Sequence, residues 1–440
     1  MQRFWLVSTD MGYGHHRGIY PLKQLAYNGV ILNANNMEGA TRRELKMWAL
    51  IRAGYEYVSR ASKLPVIGIL FTKFIDKLLY IPNYYPSGDR SGKTFQVKLL
   101  KGRIRNGLGA GVISRITDPE LPLVTSFYSI AIAADMAGHK KIFCIICDTD
   151  ISRVWVSEKP YESNIEYFAS GSISEQRLLS YGVPSKNIHL TGFPLPLELL
   201  GDRSLNILKK NLIRRLMNLD HEGRFYNLYK HSINAYLDYD KALINNPLNE
   251  CNYLTITFAV GGAGAQKEIG RQIAESLSDE IARGKIKLNL VAGTRKEIFE
   301  YYDNIREKHS GGSNNIKVIW DNETEEYFNK FNQILPETDV LWTKPSEMSF
   351  YSALGIPLIL TPPIGPQEKC NRRWLRETGS GFKQLNIRYT NQWLGDLHRK
   401  GKLAEAAWLG FLKGRKYGTY NIIDLLQTGA YKISNDPLQR

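Results

Sequence analysis

Cysteine is scarce in this 440-residue chain. The four residues Cys144, Cys147, Cys251 and Cys370 are too few and too scattered for a disulfide framework. Cys144 and Cys147 form a Cys-x-x-Cys, but it lies inside the apolar run KIFCIICDTD with no second ligand pair nearby. Buried strand thiols are therefore expected there rather than zinc or redox chemistry, and a reducing, cytoplasmic setting fits. Long apolar runs are missing too: nothing approaches the roughly 18–20 uninterrupted residues that a membrane-crossing helix needs. The opening MQRFWLVSTDMGYGHH lacks the apolar core of a secretory signal and reads as a first strand running into Gly and His. There is no internal repeat.

Positive charge, by contrast, is in excess, with a formal net charge of +15. Between Lys73 and Arg105 eight Lys/Arg face two Asp, and between Arg372 and Lys416 eleven Lys/Arg face three Asp/Glu. Such clusters suit an anionic partner (phosphate, nucleic acid or an acidic membrane face) or form a basic solvated surface. Around the first cluster Phe71, Phe74, Leu78, Leu79, Tyr80, Tyr84 and Tyr85 interleave with the basic residues. That mixture fits either a headgroup interface or a core with solvated charges around it. Nucleic acid is the weaker expectation, because no recognised nucleic-acid module accompanies the charge.

The length points to two domains. Strand-like runs lie at 3–9, 121–127, 141–147, 165–170, 188–193, 253–260, 286–293, 316–320, 339–344 and 356–362. Several are apolar almost throughout, as strands covered on both faces are, and helical patterns alternate with them. This βαβ alternation predicts an α/β chain with parallel sheets: two Rossmann-like, doubly wound domains facing across a cleft. The segment 201–252 is basic and helical and divides the strands into two sets. The expected organisation is an N-terminal domain over 1–200, a helical insertion or linker over 201–252, and a second Rossmann-like domain over 253–395. C-terminal helices over 396–440 would then pack back on the first domain.

In open α/β sheets ligands bind beyond the carboxyl ends of the strands, so the loops that follow strands are where chemistry is sought. The first is STDMGYGHHRG. Gly12, Gly14 and Gly18 let backbone amides approach a ligand, and His15 stands where a general base is useful, unless the two histidines only cap the following helix. The second is FAVGGAGAQKEIG, in which Gly261, Gly262 and Gly264 suit either an anion held at a helix start or tight packing alone. It lacks the Lys-Ser/Thr of a Walker A loop. The third is TKPSE, where Lys344 can neutralise phosphate and Ser346 and Glu347 can hydrogen-bond a ribose or base. The fourth, TPPIGPQEKCN, sets Gln367, Glu368 and Asn371 at a loop-to-helix junction suited to sugar hydroxyls.

In this order the segments resemble the GT-B glycosyltransferases. The similar branch contains plant monogalactosyldiacylglycerol synthase, the processive diacylglycerol glucosyltransferases and the N-acetylglucosaminyltransferase of the peptidoglycan lipid intermediate. TDMGYGHHRG resembles its Gly-Gly-His loop, with His15 on the His. LPLVTSFYSIAIAADMAGHKKIFCIICDTDISRVWV resembles its Asp-and-Trp segment, with Asp148 and Trp155. Gly182-Val183-Pro184 and Gly192-Phe193-Pro194 fall in the stretch that closes its N-terminal domain, and VGGAGAQ, DVLWTKPS and LGIPLIL…GPQEKCN resemble its donor-binding strands and loops.

The resemblance implies a hexosyltransferase that moves a sugar from a nucleotide-diphosphate donor, a UDP-sugar, to a hydroxyl acceptor such as a lipid, with inversion and no tightly bound metal. His15 and Asp148 would be catalytic. Gly12, Gly14, Gly261, Gly262, Gly264, Lys344, Ser346, Glu347, Gln367, Glu368 and Asn371 would bind the donor. No resident cofactor is implied, since the nucleotide sugar is a substrate. The implied partners are that donor and an anionic membrane surface or lipid acceptor, which would place the protein at the inner face of a membrane. Two departures stand out. The branch's ribose-gripping acidic residue sits five before the Gly of Gly-x-Pro, which here is Phe350 before Gly355, with Glu347 eight before. The segment 201–252 is also longer than a simple linker. Two other readings stay open: a nucleotide-sugar 2-epimerase using acids among Asp10, Asp148, Asp150 and Glu368, and a non-catalytic nucleotide- or sugar-binding protein.

Overall fold

The computed structural model describes residues 2–61, 80–116, 118, 120–240, 253–262, 264, 266–309 and 314–432. The chain folds into two compact units, one of Met1–Leu195, Ile364–Asn371 and Arg415–Arg440, the other of Pro196–Pro363 and Arg372–Gly414.

The first unit is built on six parallel strands: β1 Phe4–Ser8, β2 Ala26–Asn33, β3 Leu123–Thr125, β4 Ile142–Ile145, β5 Ile165–Phe168 and β6 Ile188–His189. Their order is β2-β1-β3-β4-β5-β6. The second unit has β7 Leu254–Ala259, β8 Ile286–Gly293, β9 Ile316–Trp320, β10 Val340–Thr343, β11 Leu358–Leu360 and β12 Gly381–Lys383. Here the order is β12-β11-β10-β7-β8-β9, again all parallel. Renumbered within its own unit this is 3-2-1-4-5-6, the Rossmann order, and the first sheet begins 2-1-3-4-5, the flavodoxin-like order. Central strands such as FWLVS and LTITFA are buried at every position, because helices follow nearly every strand and cover both faces.

The ten expected strands are all present. The two not foreseen, β2 and β12, each lie at one edge of their sheet. β2 is largely exposed in its first half and carries Asn28 and Gly29 in left-handed conformations, with an irregular register against β1. An Asn-Gly pair ordinarily signals a turn, and here it makes a bulge inside a strand. β12 has only three residues.

The units divide the chain differently from the expected organisation. In its described part, 201–252 consists of the helices Asn206–Leu219 and Arg224–Tyr236, and both belong to the second unit. The first of them is core. Arg215 is buried, and its guanidinium donates to the carbonyls of Leu335, Thr338, Leu354 and Gly355. Burial, reinforced by the neighbouring charge of Arg214, pushes its pKa down to about 9. Beside it the fully buried Asp339 accepts from Arg214, Asn218 and the Thr255 amide. These contacts gather at the starts of β7 and β10, the end of the sheet away from the loops that follow the strands. Within 396–440, Lys402–Lys413 belongs to the second unit and Gly418–Thr428 to the first. The expected interface residues Phe71, Phe74, Leu78 and Leu79 lie outside the described residues.

Candidate functional site

In the first unit the chain reverses direction through the sheet between β1 and β3, which is the switch point where α/β sheets bind ligands. At the end of β1 and the start of the loop after it stand Ser8 and Thr9, whose buried hydroxyls have no hydrogen-bond partner among the described residues. At Gly12 the backbone takes a φ of 104°, which only glycine adopts readily, and the short helix Tyr13–Ile19 follows, with Gly14 in its first turn. A Cβ on Gly18 would meet Cys147 Sγ at 2.9 Å, so this glycine and this thiol are a packing pair. Cys144 is buried as well, and burial pushes its thiol pKa up, away from reactivity. Among the described residues no group of His, Cys, Asp and Glu could hold a metal ion.

His15 is half-buried. Its Nδ1 lies 2.8 Å from the carbonyl of Ser126, in the loop after β3, and Ser126 Oγ donates back to the His15 carbonyl at 2.7 Å. A carbonyl only accepts, so Nδ1 carries the proton and the Nε2 lone pair is left for other chemistry. The ring packs edge-on against Phe127 and lies 6.3 Å from the Trp155 indole. Desolvation by these neighbours lowers the pKa to about 4 against the opposing pull of the Ser126 carbonyl, so the imidazole is neutral at pH 7.

Asp148, after β4, accepts at Oδ1 from Asn371 Nδ2 at 2.8 Å. Asn371 Oδ1 in turn accepts from the amide and hydroxyl of Thr149 at 2.9 and 2.8 Å. Asn371 is fully buried, and its amide fastens the 364–371 segment to the β4 loop. Glu368 Oε2 accepts from the Ile364 amide at 2.8 Å, closing the same turn, and Gln367 is half-buried beside Gly365. Asp150 is held by a buried two-point contact with Arg177, Nε–Oδ1 2.8 Å and Nη2–Oδ2 2.9 Å. Asp10 pairs with Arg52.

In the second unit the switch point lies between β7 and β10. Gly261, Gly262 and Gly264 form the turn after β7, closed by a Gly264 amide to Gly261 carbonyl bond of 2.8 Å, and the helix Lys267–Ser276 follows. Gly264 has a φ of +66°, and a Cβ there would strike Ile298 Cδ1 at 2.4 Å. Lys344, directly after β10, lies against Gly261, where a Cβ would come within 2.8 Å of its Cε. From the end of β8, Arg295 Nε donates to the Gly262 carbonyl at 2.6 Å. Two cations thus flank a glycine turn at a helix start. Ser346 is buried, and its hydroxyl has no hydrogen-bond partner among the described residues. Glu347 is buried at the start of the 3-10 helix Glu347–Leu354. With three residues per turn, Phe350 stacks one turn above Glu347 on the same side and packs on Trp374.

The structure therefore gathers the expected residues into two groups. His15, Asp148, Asn371, Gln367, Glu368, Gly12 and Gly14 belong to the first unit. Gly261, Gly262, Gly264, Lys344, Ser346 and Glu347 belong to the second. Sequence reasoning missed Ser126, Thr149 and Arg295. Arg295 was within reach of the same logic, since VAGTRKE also follows a strand. Ser126 meets the His15 ring through its backbone carbonyl, a contact that leaves no trace in residue type.

No family model matches the chain, and no curated protein does. Among solved structures the chain is similar to a UDP-GlcNAc 2-epimerase from Neisseria meningitidis bound to UDP-GlcNAc, at 12% identity and a TM-score of 0.47 over 97% of this chain and 100% of that one. It is also similar to Acinetobacter baumannii MurG, at 12% identity and a TM-score of 0.40 over 84% and 95% of the two chains. A third similar structure is HepE from Anabaena in complex with UDP-glucose, at 12% identity and a TM-score of 0.40 over 73% and 81%.

Proposed function

We propose that this chain is a glycosyltransferase that uses a nucleotide-diphosphate sugar, a UDP-sugar, and a hydroxyl acceptor. The observation that carries this reading is the second unit's switch point. There a glycine turn opens the ten-residue helix Lys267–Ser276, Lys344 lies on Gly261, Arg295 grips Gly262 and the Ser346 hydroxyl is unpartnered. Helix-start amides and two cations form a positive cradle matched to a diphosphate. Ser346 and Glu347 next to it supply hydrogen bonds for the nucleoside.

In the proposed reaction a neutral His15 accepts the acceptor hydroxyl's proton at Nε2. The resulting oxygen bonds to the anomeric carbon as the bond from that carbon to the diphosphate oxygen breaks, with inversion. A cradle such as Lys344 and the turn amides is the kind that stabilises negative charge developing on a leaving diphosphate. Asp148, tied to Asn371, holds the β4 loop in place.

A 2-epimerase would need carboxylates at hand to remove and return a proton. Of the acids considered for that task, Asp150 is locked to Arg177, Asp10 pairs with Arg52, Asp148 holds Asn371 and Glu368 caps its own turn. This favours the transferase. The test is incubation with UDP-GlcNAc and UDP-glucose, with and without hydroxyl acceptors including diacylglycerol. UDP release that depends on acceptor supports the transferase. A new epimer formed without acceptor assigns the epimerase, and saturable binding with no turnover assigns a binding protein.

A further inference from the structure

We propose that the first unit carries a separate anion pocket that takes the phosphate group of a small organic phosphoester. A cavity of about 320 Å³ opens beside the start of the helix Phe95–Arg105, lined among others by Arg90, Thr94, Gln96, Ser152, Arg153 and Tyr181. None of these residues belongs to the donor or base groups described above.

Three independent features point to an anion. The first is Arg153, which is 4% exposed. Its Nε, Nη1 and Nη2 donate to the carbonyls of Ser91, Val156 and Ser157, and among the described residues it forms no ion pair. Carbonyls take four of the five N–H groups, leaving one on Nη2, and bring no negative charge; the Tyr181 ring, 5.9 Å from Cζ, offsets the cation only in part, which is costly in a buried setting. The nearby acid Glu158 is already occupied by Lys93 and Lys101, which hold its pKa down to about 2. The second is Ser152, 3% exposed and lining the cavity, whose hydroxyl has no hydrogen-bond partner among the described residues. The third is the eleven-residue helix Phe95–Arg105, whose cap Thr94 and second residue Gln96 both line the cavity and whose first turn has no acidic residue. A helix start without a carboxylate favours a bound anion in its place.

The donors come from a hydroxyl, a guanidinium and a helix end in different directions. Three phosphate oxygens meet such a set better than two coplanar carboxylate oxygens. Tyr181 and Val154 provide apolar wall for an organic substituent, and the volume is at the small end of ligand pockets, which run from about 300 Å³ upward. The 3-10 turn Arg153–Trp155 presents Arg153 to this cavity, while its Trp155 lies 6.3 Å from the His15 ring, so occupancy would steady a turn that borders the base.

The test is calorimetry of the full chain with phenyl phosphate, paired with sedimentation on phosphatidylcholine vesicles with and without phosphatidic acid. Arg153→Met removes a buried group and can unfold the unit, so the informative variants are Ser152→Ala and Arg90→Gln, with Lys344→Ala as a control at the other cradle. The expected result is one saturable site whose affinity falls about tenfold in each of the first two variants and is unchanged in Lys344→Ala. Binding confined to phosphatidate vesicles assigns a lipid headgroup, and binding of phenyl phosphate assigns a free phosphoester. The proposal is overturned if neither probe binds saturably, if Ser152→Ala and Arg90→Gln bind like the parent, or if Lys344→Ala abolishes the site.

Discussion

The side chain of Lys344 occupies the place where a side chain on residue 261 would have to go: a Cβ on Gly261 would stand 2.8 Å from Lys344 Cε and 2.9 Å from its Cδ. The obstacle is the far part of a flexible lysine and not backbone. Gly261→Ala should therefore leave the melting temperature within a degree or two and push the ammonium off the glycine turn. Calorimetry with UDP should show affinity reduced by roughly tenfold. An alanine variant that binds UDP as tightly as the parent would remove Lys344 from the donor site.

Ser346→Ala separates ligand binding from folding. The hydroxyl is buried without a partner, so deleting it relieves an unsatisfied group and should leave stability unchanged or slightly higher. UDP affinity should nevertheless fall about fivefold to tenfold if that hydroxyl meets the nucleotide. Thermal melts with and without UDP read both effects on one sample.

His15 makes a prediction with a definite sign in pH. Its folded pKa is lowered from 6.5 to about 4, so between those values the unfolded chain holds the extra proton. The stability it contributes is complete above pH 6.5 and is lost progressively as pH falls towards 4, a change on the order of 2 kcal/mol for a half-buried ring. Comparison of melts at pH 7 and pH 4.5 should show the parent losing more than His15→Gln. Turnover, if His15 is the base, should hold down to about pH 5 and fall roughly 100-fold or more in the Gln variant. A Gln variant with full activity would remove His15 from the mechanism.

Asn371 is expected to matter for stability first. Its amide satisfies the Thr149 amide and hydroxyl and holds Asp148, all in a buried setting. Asn371→Ala should cost about 2–4 kcal/mol, visible in urea melts followed by tryptophan fluorescence. Asn371→Asp should cost more, since it sets a carboxylate against Asp148. A variant as stable as the parent would show that water replaces the amide without penalty.

The fold could be read from the sequence wherever burial on both faces wrote an apolar run, as in RFWLVST or YLTITFAV. It was hidden where burial was partial. β2 alternates poorly because it is an exposed edge, and its Asn28-Gly29 imitates a turn. The site shows the same division. That the glycines, Lys344 and His15 stand directly after strands could be read from residue type and spacing. The bonds of Asn371 to Thr149 and Asp148 were hidden, because polarity at a loop-to-helix junction does not say which loop the group meets. The hold of Arg215 on its carbonyls was invisible, since a basic helix reads as a solvated one until its partners are known.

That hold has a consequence in time. The four carbonyls bound by Arg215 lie between 120 and 140 residues further along the chain. During synthesis the helix Asn206–Leu219 leaves the ribosome long before Gly355 exists, so the guanidinium remains hydrated until the last of these carbonyls arrives. The second sheet can close its lower margin only after that point, and nascent chains stalled short of residue 355 should be open to proteases there while longer ones resist.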